Sequence, residues 1–235
     1  MRKTIWGAVA LFMILSAGVG LLIGRQLSVH GSGIYDGQQN RVAEWIVEDL
    51  RDGLDQNVRN QVDPAHITVV PVGIKSMALS GEAPSAVAGT FDAPDLLAAV
   101  NLPGGTGLTI LYEHRDGQYE AVLSKQESIF SYQVVGEDYL VLTTDVSAAQ
   151  GDERTLYVIH KTPEGYREAW SGIAHRRNQN ETMDVLDATV KLDPEGKTMV
   201  YFSLERTLDQ TGVALMEKSS YQLLRYNDRT HRFEK

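Results

Sequence analysis

The chain has 235 residues, with 22 Lys plus Arg set against 31 Asp plus Glu, and it contains no cysteine. A net charge of −9 without a dense basic patch argues against nucleic acid as a partner. The missing thiols exclude disulfides, lipidation through cysteine, zinc–thiolate sites and thiol catalysis, so the fold rests on an apolar core, which this length can supply.

Residues 4–24 carry no charge and are bounded by Arg2 and Lys3 in front and Arg25 behind. Twenty-one residues at ~1.5 Å each span ~30 Å, the thickness of a bilayer's hydrocarbon core. This predicts a single-pass transmembrane signal-anchor. The two leading cations keep residues 1–3 cytoplasmic and place the rest of the chain outside. The membrane is thus one expected partner, through residues 4–24. The rival reading is secretion after signal cleavage near Gly18, at the small residues Ser16-Ala17-Gly18. Ser16, Gly20 and Gly24 form a small-xxx-small row, which is also ordinary glycine usage in a membrane helix.

Residues 25–37 are rich in Gly and Ser and read as a stalk. The extracytoplasmic domain is expected over 38–235. Within 38–60, Asp36 and Gln39 resemble a capping box, and Val42, Ala43, Ile46, Val47, Leu50 and Leu54 share one face at helical spacing. This predicts an amphipathic helix to about residue 56, packed on its own domain, with Trp45 projecting away from the stripe. In the mixed segment 67–107, residues 67–74 read as a strand broken or placed at an edge by Pro71. A short helix is expected over 94–100, capped by Asp92. Gly104-Gly105-Thr106-Gly107 precedes a strand rather than a helix, so it reads as a turn and not a phosphate loop.

From residue 108 the pattern is one of hairpins: 108–114 with 118–123, 129–135 with 139–144, 155–160 with 166–170, 185–192 with 198–204, and 221–226 with 231–234. Leu111-Tyr112-Glu113-His114 followed by Tyr119-Glu120-Ala121 repeats in 156–160 followed by Tyr166-Arg167-Glu168-Ala169, and more faintly in Leu223-Leu224-Arg225-Tyr226 followed by Phe233-Glu234. The unit is about four strands, the size of a propeller blade, but three units are fewer than a propeller needs to close. The expected fold is therefore mainly β with α+β character: an antiparallel β-hairpin meander forming a helix-covered sheet or sandwich, with partial propeller-like blades as the alternative.

The search for chemistry yields no catalytic residues, no metal ligands and no cofactor site. The six histidines, at 30, 66, 114, 160, 175 and 231, form no metal-binding spacing, and His114 and His160 occupy matching repeat positions. Gly-x-Ser-x-Gly and Ser-x-x-Lys are both absent. Glu120 and Glu168, at equivalent places in the repeat, read as solvated strand residues, and His175-Arg176-Arg177 as a solvated loop. Asn180-Glu181-Thr182 matches a glycosylation acceptor. The expectation is non-catalytic binding of a protein partner or extracellular ligand. The alternative is a cell-surface hydrolase acting on carbohydrate or cell-wall material through carboxylates brought together by the fold. A third possibility is pairing of an exposed sheet edge, such as the C-terminal strand, with another chain.

Overall fold

The computed structural model describes residues 43–50, 62, 64–72, 94–102, 107–116, 118–146, 152–179 and 181–235, all within one compact unit, Gln39–Lys235. The expected anchor at 4–24, the stalk at 25–37, the capping box at Asp36 and Gln39, the turn at 104–106 and the acceptor Asn180 lie outside the described residues. Among the described residues the fold is mainly β, with two antiparallel sheets and one α-helix, and no closed barrel.

Helix α1 occupies 43–50 and places Ala43, Ile46, Val47 and Leu50 on one face, while Glu44, Glu48 and Asp49 are exposed. Beyond it come a 3-10 turn at Pro64–His66 and twelve strands: β1 Ile67–Val72, β2 Asp95–Asn101, β3 Gly107–Arg115, β4 Gln118–Lys125, β5 Ser128–Val135, β6 Tyr139–Val146, β7 Asp152–Thr162, β8 Gly165–Gln179, β9 Met183–Asp193, β10 Thr198–Leu208, β11 Ala214–Asn227 and β12 Arg232–Glu234. All ten strands expected after residue 108 are present. Strands β1 to β4 form a four-stranded sheet and β5 to β12 an eight-stranded one, each a meander in chain order. Pro71 lies in β1, an edge strand, where a missing N–H is tolerated.

Side-chain alternation assigns each face. In the first sheet Val69, Leu96, Ala98, Val100, Leu108, Ile110 and Tyr112 face Ile46 of α1. The opposite face, with Val72, Leu97 and Leu111, packs on Leu140, Leu142, Tyr157 and Ile159 of β6 and β7. The two sheets meet so closely at one point that a Cβ on Gly107 would lie 2.0 Å from Ser128 Oγ. The other faces of β6 and β7, with Tyr139, Leu156 and Val158, pack against Met199, Leu224, Tyr226 and Phe233.

This second packing requires the eight-stranded sheet to fold over. Strands β8 and β9 pair only from His175↔Asp187 to Gln179↔Met183. Before and after that short ladder the strands diverge, and Ala169, Trp170, Ala174, Val190, Leu192 and Tyr201 fill the wedge between them. Trp170 and Tyr201 sit with ring centroids 5.0 Å apart, and the Tyr201 hydroxyl donates to the Ile173 carbonyl at 2.9 Å. The sequence repeat follows this layering. Its tyrosines fall on the third strand of each four-strand set, and each faces the preceding layer: Tyr112 the helix, Tyr157 the first sheet, and Tyr226 the β6–β7 layer.

Four expectations are corrected. Where a helix was expected over 94–100, the chain forms strand β2, Asp95–Asn101. Leu96, Ala98 and Val100 face the helix and Leu97 the second sheet, so a strand covered on both sides lost its alternation and read as a helical run. Trp45, expected to project away from the apolar stripe, is half-buried against the same sheet: its ring packs on Tyr112 and Tyr119, with centroids 5.0 and 5.8 Å away. His175-Arg176-Arg177 belongs to β8 rather than to a loop. Strand β11 begins at Ala214, seven residues before the expected 221.

Leu142 is wholly buried between the sheets. Leu142→Ala should lower unfolding free energy by about 2–5 kcal/mol in urea denaturation, as a cavity in a tightly packed core does.

Candidate functional site

The buried acidic residues define the molecule's polar chemistry. Asp95, at the start of β2, is 4% exposed and faces the second sheet. Its Oδ1 accepts the His114 backbone N–H at 2.9 Å, and its Oδ2 accepts the Lys161 ammonium at 2.5 Å and the Tyr166 hydroxyl at 2.6 Å. Burial, and then the adjacent carboxylate, push the Tyr166 phenol well above its ordinary value, so it stays a protonated donor. Next to it, Glu113 is buried with its Oε2 2.8 Å from the Arg115 guanidinium; the geometry is charge against charge, without a directed hydrogen bond.

A second cluster is centred on Glu127, in the crossover from β4 to β5. Its carboxylate accepts the Tyr157 hydroxyl at 2.9 Å and the Thr144 hydroxyl, and its backbone carbonyl accepts Thr109 Oγ1 at 2.7 Å. Beside it Lys125 lies 4.3 Å above the Tyr157 ring and donates to Glu168 at 2.7 Å, and Ser171 donates to the other Glu168 oxygen at 2.9 Å. Burial alone would raise the Glu168 pKa. The two hydrogen bonds, with the charges of Lys125 and Arg232, outweigh it and hold the group below the ordinary carboxylate value.

Glu120 and Glu168, the carboxylates singled out from the repeat, therefore have different surroundings. Glu120 is exposed on β4 opposite Glu113 in the ladder, whereas Glu168 is half-buried in an ion pair rather than solvated. Asp95, Glu113 and Glu127 were not legible as a set, because Asp95 meets Lys161 across 66 residues and Glu127 meets Tyr157 across 30. Among the described residues, no group of three or more His, Asp and Glu side chains is arranged to hold a metal ion.

The histidines divide similarly. His114 rests against Tyr119, its own hairpin partner, with ring centroids 5.0 Å apart. His160 stacks on Tyr139 at 4.4 Å, and its Nδ1 lies 2.7 Å from the Tyr226 hydroxyl, which is itself 3.2 Å from His231 Nδ1. One phenolic proton serves two ring nitrogens, so one imidazole donates while the other accepts. His175 lies between Asp187, at 2.7 Å, and Asp152, at 3.4 Å, and Arg206 also reaches Asp187.

These clusters join layers, whereas most of the outer edge of β11 has no strand beside it among the described residues. Strand β12 pairs with β11 only at Arg225, Tyr226 and Asn227. On that side, among the described residues, no strand pairs with Ala214–Leu224, although β10 pairs with this segment on the other side. Here Tyr221 is 76% exposed, Leu215 62%, Met216 59% and Leu223 52%, all on one strand. An edge of this length is normally blunted by proline, a bulge or several charges; Ala214–Leu224 contains no proline, Glu217 and Lys218 are its only charges, and a single bulge at Leu215, where the β10 register shifts between Thr207 and Leu208, interrupts it near its start.

The chain matches no family model, no curated protein and no solved structure.

Burial lowers the His160 pKa below its ordinary value of 6.5, and the nearby His231 and Lys197 charges add to this against the opposing Asp138. The unfolded histidine therefore binds protons more readily than the folded one. The neutral ring's contribution to stability is present above about pH 6.5 and lost as pH falls below it. Urea unfolding between pH 8 and pH 5 should show stability declining in that window, and His160→Gln, whose amide still meets Tyr226, should flatten that decline.

Proposed function

We propose that this protein is a single-pass membrane-anchored protein whose β-rich domain stands outside the cytoplasm and acts by non-catalytic binding of a protein partner. The observation that carries the reading is the free edge Ala214–Leu224, which offers a row of unused backbone donors and acceptors flanked by exposed Tyr221, Leu215, Met216 and Leu223. Strand addition to such an edge draws affinity from main-chain hydrogen bonds and specificity from alternate side chains. The anchored, outward orientation rests on the apolar run 4–24 and the cations before it.

Binding is favoured over hydrolysis because the buried and half-buried acids already have partners, Glu113 through the charge of Arg115 alone. A glycosidase needs one carboxyl free to give a proton and another free to meet the sugar or water. Asp95 accepts three donors, Glu127 is held by Tyr157 and Thr144, and Glu168 is held by Lys125 and Ser171. For the architecture we favour the helix-covered sandwich. Helix α1 on one face of the first sheet and the β6–β7 layer on the other support that reading over incomplete propeller blades.

Two measurements test the reading. The intact 26.0 kDa chain should sediment with host membranes, resist alkaline carbonate and be released by detergent; a soluble species beginning near Val19 would make it a secreted domain instead. In the full chain within native membranes, amides of residues 214–224 that do not bond to β10 should exchange with deuterium slowly. Exchange as fast as in an open strand would remove the binding edge from the proposal.

A further inference from the structure

We propose that His160, Tyr226 and His231 form a pH-operated latch on the C-terminal strand β12: two imidazoles around one phenol hold the strand closed at neutral pH and release it in acid. The latch goes beyond the reading of β11 as a binding edge and does not depend on it. Three observations carry it: the proton count of the cluster, the charges around His160, and how little else fastens β12.

The Tyr226 hydroxyl lies 2.7 Å from His160 Nδ1 and 3.2 Å from His231 Nδ1. An O–H donor makes shorter bonds than an N–H donor, so the phenol donates to His160, and His231 Nδ1–H donates to the phenolic oxygen. His160 then carries its own proton on Nε2. In this arrangement a further proton on His231 goes to Nε2 and disturbs neither bond. A further proton on His160 has only Nδ1 to go to, which leaves Tyr226 with a hydrogen and no acceptor in the cluster. With both rings charged, one imidazolium also faces the other.

Tyr139 stacks on the His160 ring at 4.4 Å, and Tyr226 meets it edge-on at 4.8 Å. Burial, with the charges of His231 and Lys197, disfavours a cation at His160 and outweighs Asp138 and Asp228, which favour one. Arg167 and Glu164 face the Tyr226 side and oppose each other. The closed ring therefore binds a proton less readily than the released one, so closure is complete above about pH 6.5 and is lost as pH falls below it. Glu234, which accepts from Thr230 and Asn227, is held by those bonds below the ordinary carboxylate value, so it keeps its charge in mild acid and is not the group that titrates.

Strand β12 has three residues and pairs only with Arg225, Tyr226 and Asn227. Its one buried side chain, Phe233, rests on Tyr226 and Tyr139, with ring centroids 5.3 and 5.9 Å away. His231 enters the strand at φ +56°, in the left-handed region that side chains rarely adopt, and its ring ties this turn back to β11 through Tyr226. Once the cluster breaks, Phe233 and the Glu234 bonds are left to hold three residues against solvent. Release bares the outer side of Arg225, Tyr226 and Asn227, and so lengthens the unpaired edge of β11 by three positions.

The test is hydrogen exchange of the full chain in native membranes at about pH 8 and pH 5, with rates corrected for the intrinsic exchange of free amides. Amides of Arg232–Glu234 should be protected at pH 8 and lose that protection at pH 5, while β6 and β7 stay protected. His160→Gln, whose amide oxygen still accepts from Tyr226 and which does not titrate, should keep β12 protected at both pH values. Tyr226→Phe should leave β12 open at both.

Unchanged protection of 232–234 at pH 5 would overturn the latch, and so would a pH step that survives in His160→Gln. Loss of protection in β6 and β7 together with β12 would mean unfolding of the whole domain rather than release of one strand, and would overturn it as well. Exchange at 214–224 is read in the same experiment: fast exchange there ends the binding-edge reading, while the result at 232–234 still decides the latch.

Discussion

The constraint on which the rest of the molecule depends is that β6 and β7 are apolar on both faces. Leu140, Leu142, Tyr157 and Ile159 point one way, and Tyr139, Leu156 and Val158 point the other. A strand pair of this kind cannot lie on a surface. At ~25 cal/mol per Å² of apolar area removed from water, each face requires its own cover. The first sheet covers one face and the folded-over β9–β12 set covers the other. The first sheet is then apolar on its own far side, and α1 closes it with Ile46. The four-strand meander, repeated three times, is a direct way to build such a stack from local hairpins.

Polar pins hold these layers in register. The Tyr112 hydroxyl donates to Asp49 of the helix at 3.1 Å, Tyr157 donates to Glu127, and Tyr226 contacts His160 and His231. A typical hydrogen bond contributes about 0.5–1.5 kcal/mol net, but an orphaned buried partner costs more, so a slipped layer is penalised at several points at once. The acids therefore do structural work. Asp95 joins β2 to β7 and β8, and Glu127 ties the crossover loop to β3, β6 and β7.

Sequence patterning revealed what local physics decides. The hairpins after residue 108 announce themselves through turn residues and apolar runs, and the α1 stripe through its spacing. It failed where tertiary context overrode the local signal. Residues 95–101 are apolar because both faces are covered, which imitates a buried helix. The distal parts of β8 and β11 lacked alternation because backbone ladders and ion pairs, rather than a core, hold them there. His175 is fixed by Asp187, and Glu217 lies opposite Arg206 in the β10–β11 ladder. The Asp95 and Glu127 clusters are invisible to spacing, since their members converge only after folding. The edge anticipated at the C-terminal strand is there, β12 being the last strand of its sheet, and because β12 is three residues long most of β11 has no strand beside it on that side among the described residues.

The short ladder between β8 and β9 has a mechanical consequence. It contains five residue pairs, whereas the β7–β8 and β9–β10 ladders contain eleven each. Were the chain anchored and bound at β11 as proposed, tension carried through the eight-stranded sheet from β5 to β11 would cross that ladder, the shortest between them. Behind it stands the wedge of Trp170 and Tyr201, whose packing rather than backbone bonding holds β8 and β9 apart from each other. A joint of this kind would part before the ladders of eleven pairs that flank it, leaving the strands on each side still paired with their own neighbours.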